Sequence, residues 1–161
     1  GVDIDGEAAI PNTGYGISLS GSTNTLIGGY TSDEGNVISG NDLGGIDALD
    51  TDILNIEHNT IGLSKDTLTI LSNGSNASLP ENGAGIRLSN STSTVVGGPV
   101  DGKGNVISGN EGSGVVVVDS SAVAILRTSI YNIGFLGIDL GIDGELTQTM
   151  LMMEILALMI N

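Results

Sequence analysis

The heptapeptide "GNVISGN" occurs twice, at Gly35–Asn41 and at Gly104–Asn110, 69 positions apart. At that offset residues 14–46 lie over residues 83–115 without a gap, and 18 of the 33 positions are identical. The match weakens further along but persists: Asp50 falls on Asp119, Ile56 on Ile125 and Ile61 on Ile130. Repetition on this scale marks an array, a solenoid or a propeller, in which each unit buries its apolar face against the next.

A shorter rhythm runs inside each unit. "GISL", "GIDAL", "GIRL", "GVVVV" and "GIDL" begin at Gly16, Gly45, Gly85, Gly114 and Gly137, at intervals of 29, 40, 29 and 23 residues. A second apolar run follows, such as "TLIGG" or "TVVGG", and then in several cases a third, such as "NVISGN" or "NIEHNTIG". These short runs alternate aliphatic with polar residues as strands do, and within the repeat none sustains a helical period. Three strands per winding predict a coiled parallel sheet whose windings stack about 4.8 Å apart. Ile17, Ile46 and Ile86 should then pile up on one wall. With three Tyr, one Phe and no Trp, the core must be built from Ile, Leu and Val, and 26 Gly supply the turns. Aligning "NVISGN" with "LNIEHN" sets Asn41, Asn59 and Asn110 at turns, where Asn tolerates left-handed backbone and can bond to its stacked neighbours as a ladder.

The phrases "GNVISGN", "NTIG", "GAGIRL", "VVGG" and "SIYNIGFLGIDLGIDG" (129–144) resemble the right-handed parallel β-helix repeat proteins of the pectin-lyase-like superfamily. Within it they are closest to long, repetitive secreted or surface proteins of bacteria, and the resemblance spans residues 14–144. It implies an all-β, single-stranded, right-handed parallel β-helix of about five coils over residues 1–145. It does not select an activity, because lyases, epimerases, hydrolases, phage spikes and adhesins share the architecture.

Loops at 30–35 and 99–104 occupy the same place in each unit, and a longer excursion covers 64–82. From Leu146 the language changes to "LTQTMLMMEILALMIN", which predicts a helical or irregular tail over 146–161 that caps the last coil. A frameshift near Gly144–Leu146 is the sharper reading of this tail. In the shifted frame Met152–Met153 and Met159–Ile160 each encode Asp, Met153–Glu154 encodes Gly, and an Asp/Asn/Gly-rich continuation is permitted.

Chemistry-bearing constellations are sparse. His58, the only histidine, adjoins Glu57, but neighbours on a strand face opposite ways and do not make an acid–base pair. The resemblance to the pectate-lyase branch implies an Arg or Lys base acting on a polyuronate with Ca²⁺, for which only Lys65, Arg87, Lys103 and Arg127 are present. Acidic groups that invite Ca²⁺ are Asp47, Asp50 and Asp52, then Asp3, Asp5 and Glu7, and then Asp139 and Asp143. None matches a calcium-loop pattern, and a solvated acidic surface explains them better, so no cofactor is expected. Glycosylation triplets begin at Asn73, Asn76 and Asn90, and in a chain rich in Asn and Ser they read as coincidence. A net charge of -15 disfavours nucleic acid and anionic membranes. No stretch is long and apolar enough to predict a membrane span. The chain has no cysteine, and it begins without a basic, then apolar, leader, so it reads as a mature piece or fragment of a longer chain. The expected role is a non-enzymatic, adhesin-like scaffold, extracellular or at the cell surface, with carbohydrate or cell-surface components as partners. The alternative is a piece of a carbohydrate-active lyase, epimerase or hydrolase, or of a carbohydrate-binding β-helix.

Overall fold

Alternating aliphatic runs bounded by Gly, Asn and Ser form short strands, and each strand stacks on its counterpart one winding away. The computed structural model describes residues 1–75, 82–100 and 102–141. Among the described residues thirteen strands join into three parallel sheets. The first runs β1 (Tyr15–Ser20), β4 (Gly44–Leu49), β7 (Ile86–Ser89), β10 (Val115–Val118) and β13 (Ile138–Asp139). The second runs β2 (Thr23–Gly28), β5 (Asp52–Glu57), β8 (Thr92–Gly97) and β11 (Ser121–Leu126). The third runs β3 (Val37–Ile38), β6 (Thr60–Ile61), β9 (Val106–Ser108) and β12 (Ser129–Tyr131). The chain visits the sheets in rotation, which is a solenoid of the parallel β-helical kind. The C-terminal tail, as well as part of the 64–82 excursion, lies outside the described residues.

The register makes the core a set of aliphatic rows. Ile17, Ile46, Ile86, Val115 and Ile138 are successive partners in the first sheet, as the spacing predicts. Ile27, Ile56, Val96 and Ile125 form the row of the second sheet, and Ile38, Ile61, Ile107 and Ile130 that of the third. Ile46, Ile56, Ile61, Ile86 and Ile107 are fully buried. Each contributes on the order of 2 kcal/mol of burial, and none of these side chains is covered without the winding above or below.

The duplicated heptapeptide is a corner, a strand and a second corner. A side chain on Gly35 or Gly104 would overlap the carbonyl oxygen of His58 or Arg127 one winding on, so only Gly fits. Asn36 and Asn105 begin the first corner, and Ile38 and Ile107 fill the core. Ser39 Oγ donates to Leu63 O at 2.7 Å and accepts from Gly62 N at 2.9 Å. Gly40 and Gly109, with φ of 67° and 69°, make the second corner, which Asn41 and Asn110 complete.

The structure adds a period that the alignment misses. Residues 2–9 form a hairpin closed by a Val2–Ala9 bridge, and residues 63–70 form another closed by Leu63–Ile70. Their backbone bonds correspond one for one: Asp3 N donates to Ala8 O as Ser64 N does to Thr69 O, and Ile10 N to Gly1 O as Leu71 N does to Gly62 O. The second hairpin stacks on the first through Lys65 N, which donates to Gly6 O at 2.8 Å. Windings with a hairpin at one corner thus alternate with windings that carry a loop, 29–35 or 98–104, at another.

Candidate functional site

Each corner carries a column of polar side chains parallel to the axis. Asn41 Nδ2 donates to Asn73 Oδ1, and Asn73 Nδ2 donates to Asn110 Oδ1, both at 2.8 Å. Asn12 Nδ2 extends this column by donating to Asn41 Oδ1 at 3.0 Å. The predicted turn residues Asn41 and Asn110 therefore share a corner, joined through Asn73. Asn59 stands at a different corner, where Asn36 Nδ2 donates to Asn59 Oδ1 at 2.9 Å and Asn59 Nδ2 donates to Asn105 Oδ1 at 3.1 Å. The alignment of "NVISGN" with "LNIEHN" merged these columns because both corners follow an aliphatic strand with Asn. The third corner uses hydroxyls: Thr51 Oγ1 donates to Ser91 Oγ at 2.9 Å. Asn73, at the first glycosylation triplet, is fully buried in its column, whereas Asn90 is exposed and donates to Asp50. Asn76 lies outside the described residues.

The acidic candidates are dispersed. Asp47 pairs with Arg87 at 3.0 Å on the outer face of the first sheet, while Asp52 accepts from Thr92 Oγ1 at 2.6 Å. Asp3 accepts from the amides of Glu7 and Ala8 within the first hairpin, and these bonds hold its carboxyl below the ordinary aspartate range. Asp66 does the same work in the second hairpin, with its carboxyl lowered by the Ser64 hydroxyl and then by the Leu68 amide. Asp5 and Glu7 are exposed on the first hairpin, Asp139 is buried in β13, and Asp143 lies outside the described residues. Among the described residues no group of three or more His, Asp or Glu is disposed to hold a metal ion.

One corner concentrates the remaining chemistry. Between the second and third sheets, loop 29–35 folds over His58, whose Nδ1 is 2.8 Å from Gly29 O, so the ring donates there. Glu34 Oε2 accepts from Thr31 N at 3.0 Å and Tyr30 N at 2.8 Å. Those amides, Thr31 foremost, hold the Glu34 carboxyl below its ordinary range, and His58 adds to the effect. Lys103 reaches back from loop 98–104 to Glu57 Oε2 at 2.8 Å, with its ammonium 5.5 Å from the centroid of the Tyr30 ring. Glu57 is 6% exposed, Tyr30 75%. Glu57 and His58 thus turn to different partners. Beside them a groove of about 260 Å³ is lined by Asn24, Thr25, Leu26, Tyr30, Asn55 and Glu57.

The Glu57–Lys103 pair was not legible in the sequence, because 46 residues separate its members and no motif links them. The arrangement neutralises the buried carboxylate and leaves amides, an aromatic ring and an aliphatic side chain facing the groove. Arg127 Nε donates to Pro99 O at 3.4 Å at the corresponding corner of the second unit, and Lys65 lies on the second hairpin. No family model, curated protein or solved structure matches the chain.

Proposed function

We propose that the chain is a stretch of right-handed parallel β-helix of the pectin-lyase-like kind, serving as a non-enzymatic scaffold in a secreted or cell-surface bacterial protein. Right-handed winding follows from the general preference of parallel crossovers, and a five-stranded first sheet supports about five coils. The observation that carries the reading is the set of corner columns. The corner Asn, Thr and Ser side chains satisfy the backbone and one another along the axis. The carboxylates of Asp3, Glu34, Asp47, Glu57 and Asp66 are engaged likewise, in hairpins, a loop and ion pairs. Such a rod presents loops at its corners at a repeated spacing. A carboxylate surplus keeps its faces soluble and apart.

The test is incubation of the purified chain with polygalacturonate, alginate and neutral plant polysaccharides, with and without calcium, following reducing ends and unsaturated uronates. The scaffold reading expects no chain shortening and a melting temperature indifferent to calcium or chelator. Catalytic depolymerisation would overturn it.

A further inference from the structure

The duplicated unit carries its own control. The second unit shows what the fold requires at each position, because it builds the same windings from its own residues. At the groove the two units disagree: Asn24 corresponds to Ser93, Tyr30 to Pro99, Asn55 to Ala124 and Glu57 to Leu126. The backbone is nevertheless conserved. Leu26 pairs with Asn55 as Val95 does with Ala124, and Gly28 pairs with Glu57 as Gly97 does with Leu126. The Asn55 amide, an aromatic ring and a carboxylate are therefore gathered in the first unit where the solenoid is content with small or apolar side chains, and they stand beside the amide of Asn24, which also suits its left-handed backbone at φ 54°.

From this we propose that the groove between β2, β5 and loop 29–35 is a binding site for a neutral polyhydroxylated ligand, a saccharide chain. The charge of the groove is balanced internally, since Lys103 is paired with Glu57 at 2.8 Å. With Glu57 already paired, the groove offers an ionic ligand no unpaired counter-charge, and an anionic one also meets a chain of net charge -15. What remains is planar hydrogen-bonding groups at Asn24 and Asn55 that match hydroxyls. The exposed face of Tyr30 suits the C–H face of a sugar ring, and Leu26 adds an apolar strip. The groove is about half open to solvent, so a stretch of polymer can enter it from the surface. The site goes beyond the scaffold reading: binding without cleavage leaves that reading intact, and cleavage without binding at this groove would sink that reading and this site separately.

The experiment is a titration of the isotope-labelled chain with neutral oligosaccharides derived from β-glucan, mannan, xylan and chitin, read by amide chemical shifts. At least one should move the amides of residues 24–30 and 55–57 in a saturable way. Tyr30→Ala and Asn55→Ala should each weaken it roughly tenfold or more, with melting unchanged. Glu57→Leu, which installs the residue of the second unit, should keep the fold and also weaken binding. Absence of shifts with every oligosaccharide overturns the proposal, as does binding that Tyr30→Ala and Asn55→Ala leave intact, or shifts that map to the hairpin edge instead.

Discussion

Asn73 Nδ2 lies 2.8 Å from Asn110 Oδ1, although Asn73 belongs to the hairpin-bearing winding and Asn110 to the heptapeptide. Asn73 also donates to Ile38 O at 2.9 Å and accepts from both the backbone and the side chain of Asn41. Replacing it by Ala removes a partner from four buried groups, on Ile38, Asn41 and Asn110, at once. Asn73→Ala should therefore cost about 3 kcal/mol in urea unfolding. Asn55→Ala, at a position where Ala124 stands in the second unit, should stay within about 0.5 kcal/mol. Equal losses for the two would show that the column is not what holds the corner.

Ile53 sits with φ of 54°, a left-handed conformation shared by its counterparts Asn24, Ser93 and Ala122 in every strand of the second sheet. A β-branched side chain is the poorest occupant of that backbone, and Ile53 is 46% exposed, so little burial offsets the strain. Ile53→Asn should raise stability by about 1 kcal/mol and increase the melting temperature. A drop would mean that Ile53 makes contacts that outweigh its backbone.

The windings and the aliphatic rows were legible because each row needs only Ile, Leu or Val at a fixed step, and the alignment at 69 displays that step directly. The columns were half legible. Asn41 and Asn110 announce a turn, but Asn36 and Asn105 at the front of the same heptapeptide hold a different corner. The first hairpin was not legible as a repeat. Between residues 1–12 and 62–73 only Gly1/Gly62, Asp5/Asp66 and Asn12/Asn73 are identical, and their offset is 61. A hairpin closed by backbone bonds accepts almost any side chain at its tip, so the sequence drifts while the geometry stays. The pairing of Glu57 beside the groove depended on Lys103 returning across a winding, which only three-dimensional stacking can bring about.

Gly28 has a φ of 103°, and a side chain there would overlap the Glu57 carbonyl oxygen. Both the backbone and the space are closed to Ala. Gly28→Ala should destabilise by at least about 3 kcal/mol, through strain and through separation of β2 from β5. At Gly14 an added methyl meets nothing within 4 Å, so Gly14→Ala should be nearly neutral by thermal unfolding. Comparable melting temperatures for the two would contradict the close approach of these windings.

The Glu57–Lys103 pair should respond asymmetrically. Its carboxylate side chain is 8% exposed and its ammonium side chain 23%, so removing the cation abandons the more buried charge. Lys103→Met should cost about 2–3 kcal/mol. Glu57→Leu, matching Leu126, should be close to neutral, and the double substitution should recover most of the loss. A double-mutant cycle in urea reads this directly. Equal costs for the two single substitutions would place the pair on the solvated surface.

Acid should loosen the corners before the core. The carboxyls of Glu34, Asp3 and Asp66 are all held below their ordinary range by hydrogen bonds, from the Thr31 amide, the Glu7 amide and the Ser64 hydroxyl first in each case. A depressed folded pKa means that the ionised form binds its donors more tightly in the folded chain. The stability it supplies is fully present above the unfolded carboxylate value near pH 4 and disappears as pH falls through the lower folded value. Between neutral pH and about pH 5 these loops should be unchanged. Below about pH 4 the amides of Thr31, Glu7 and Leu68 should shift with their carboxylates while core amides such as Ile46 and Ile107 stay fixed. Glu34→Gln should abolish the acid shift at Thr31 and leave that at Glu7 intact. Midpoints at or above the ordinary carboxylate values would show that these donors do not favour the ionised form.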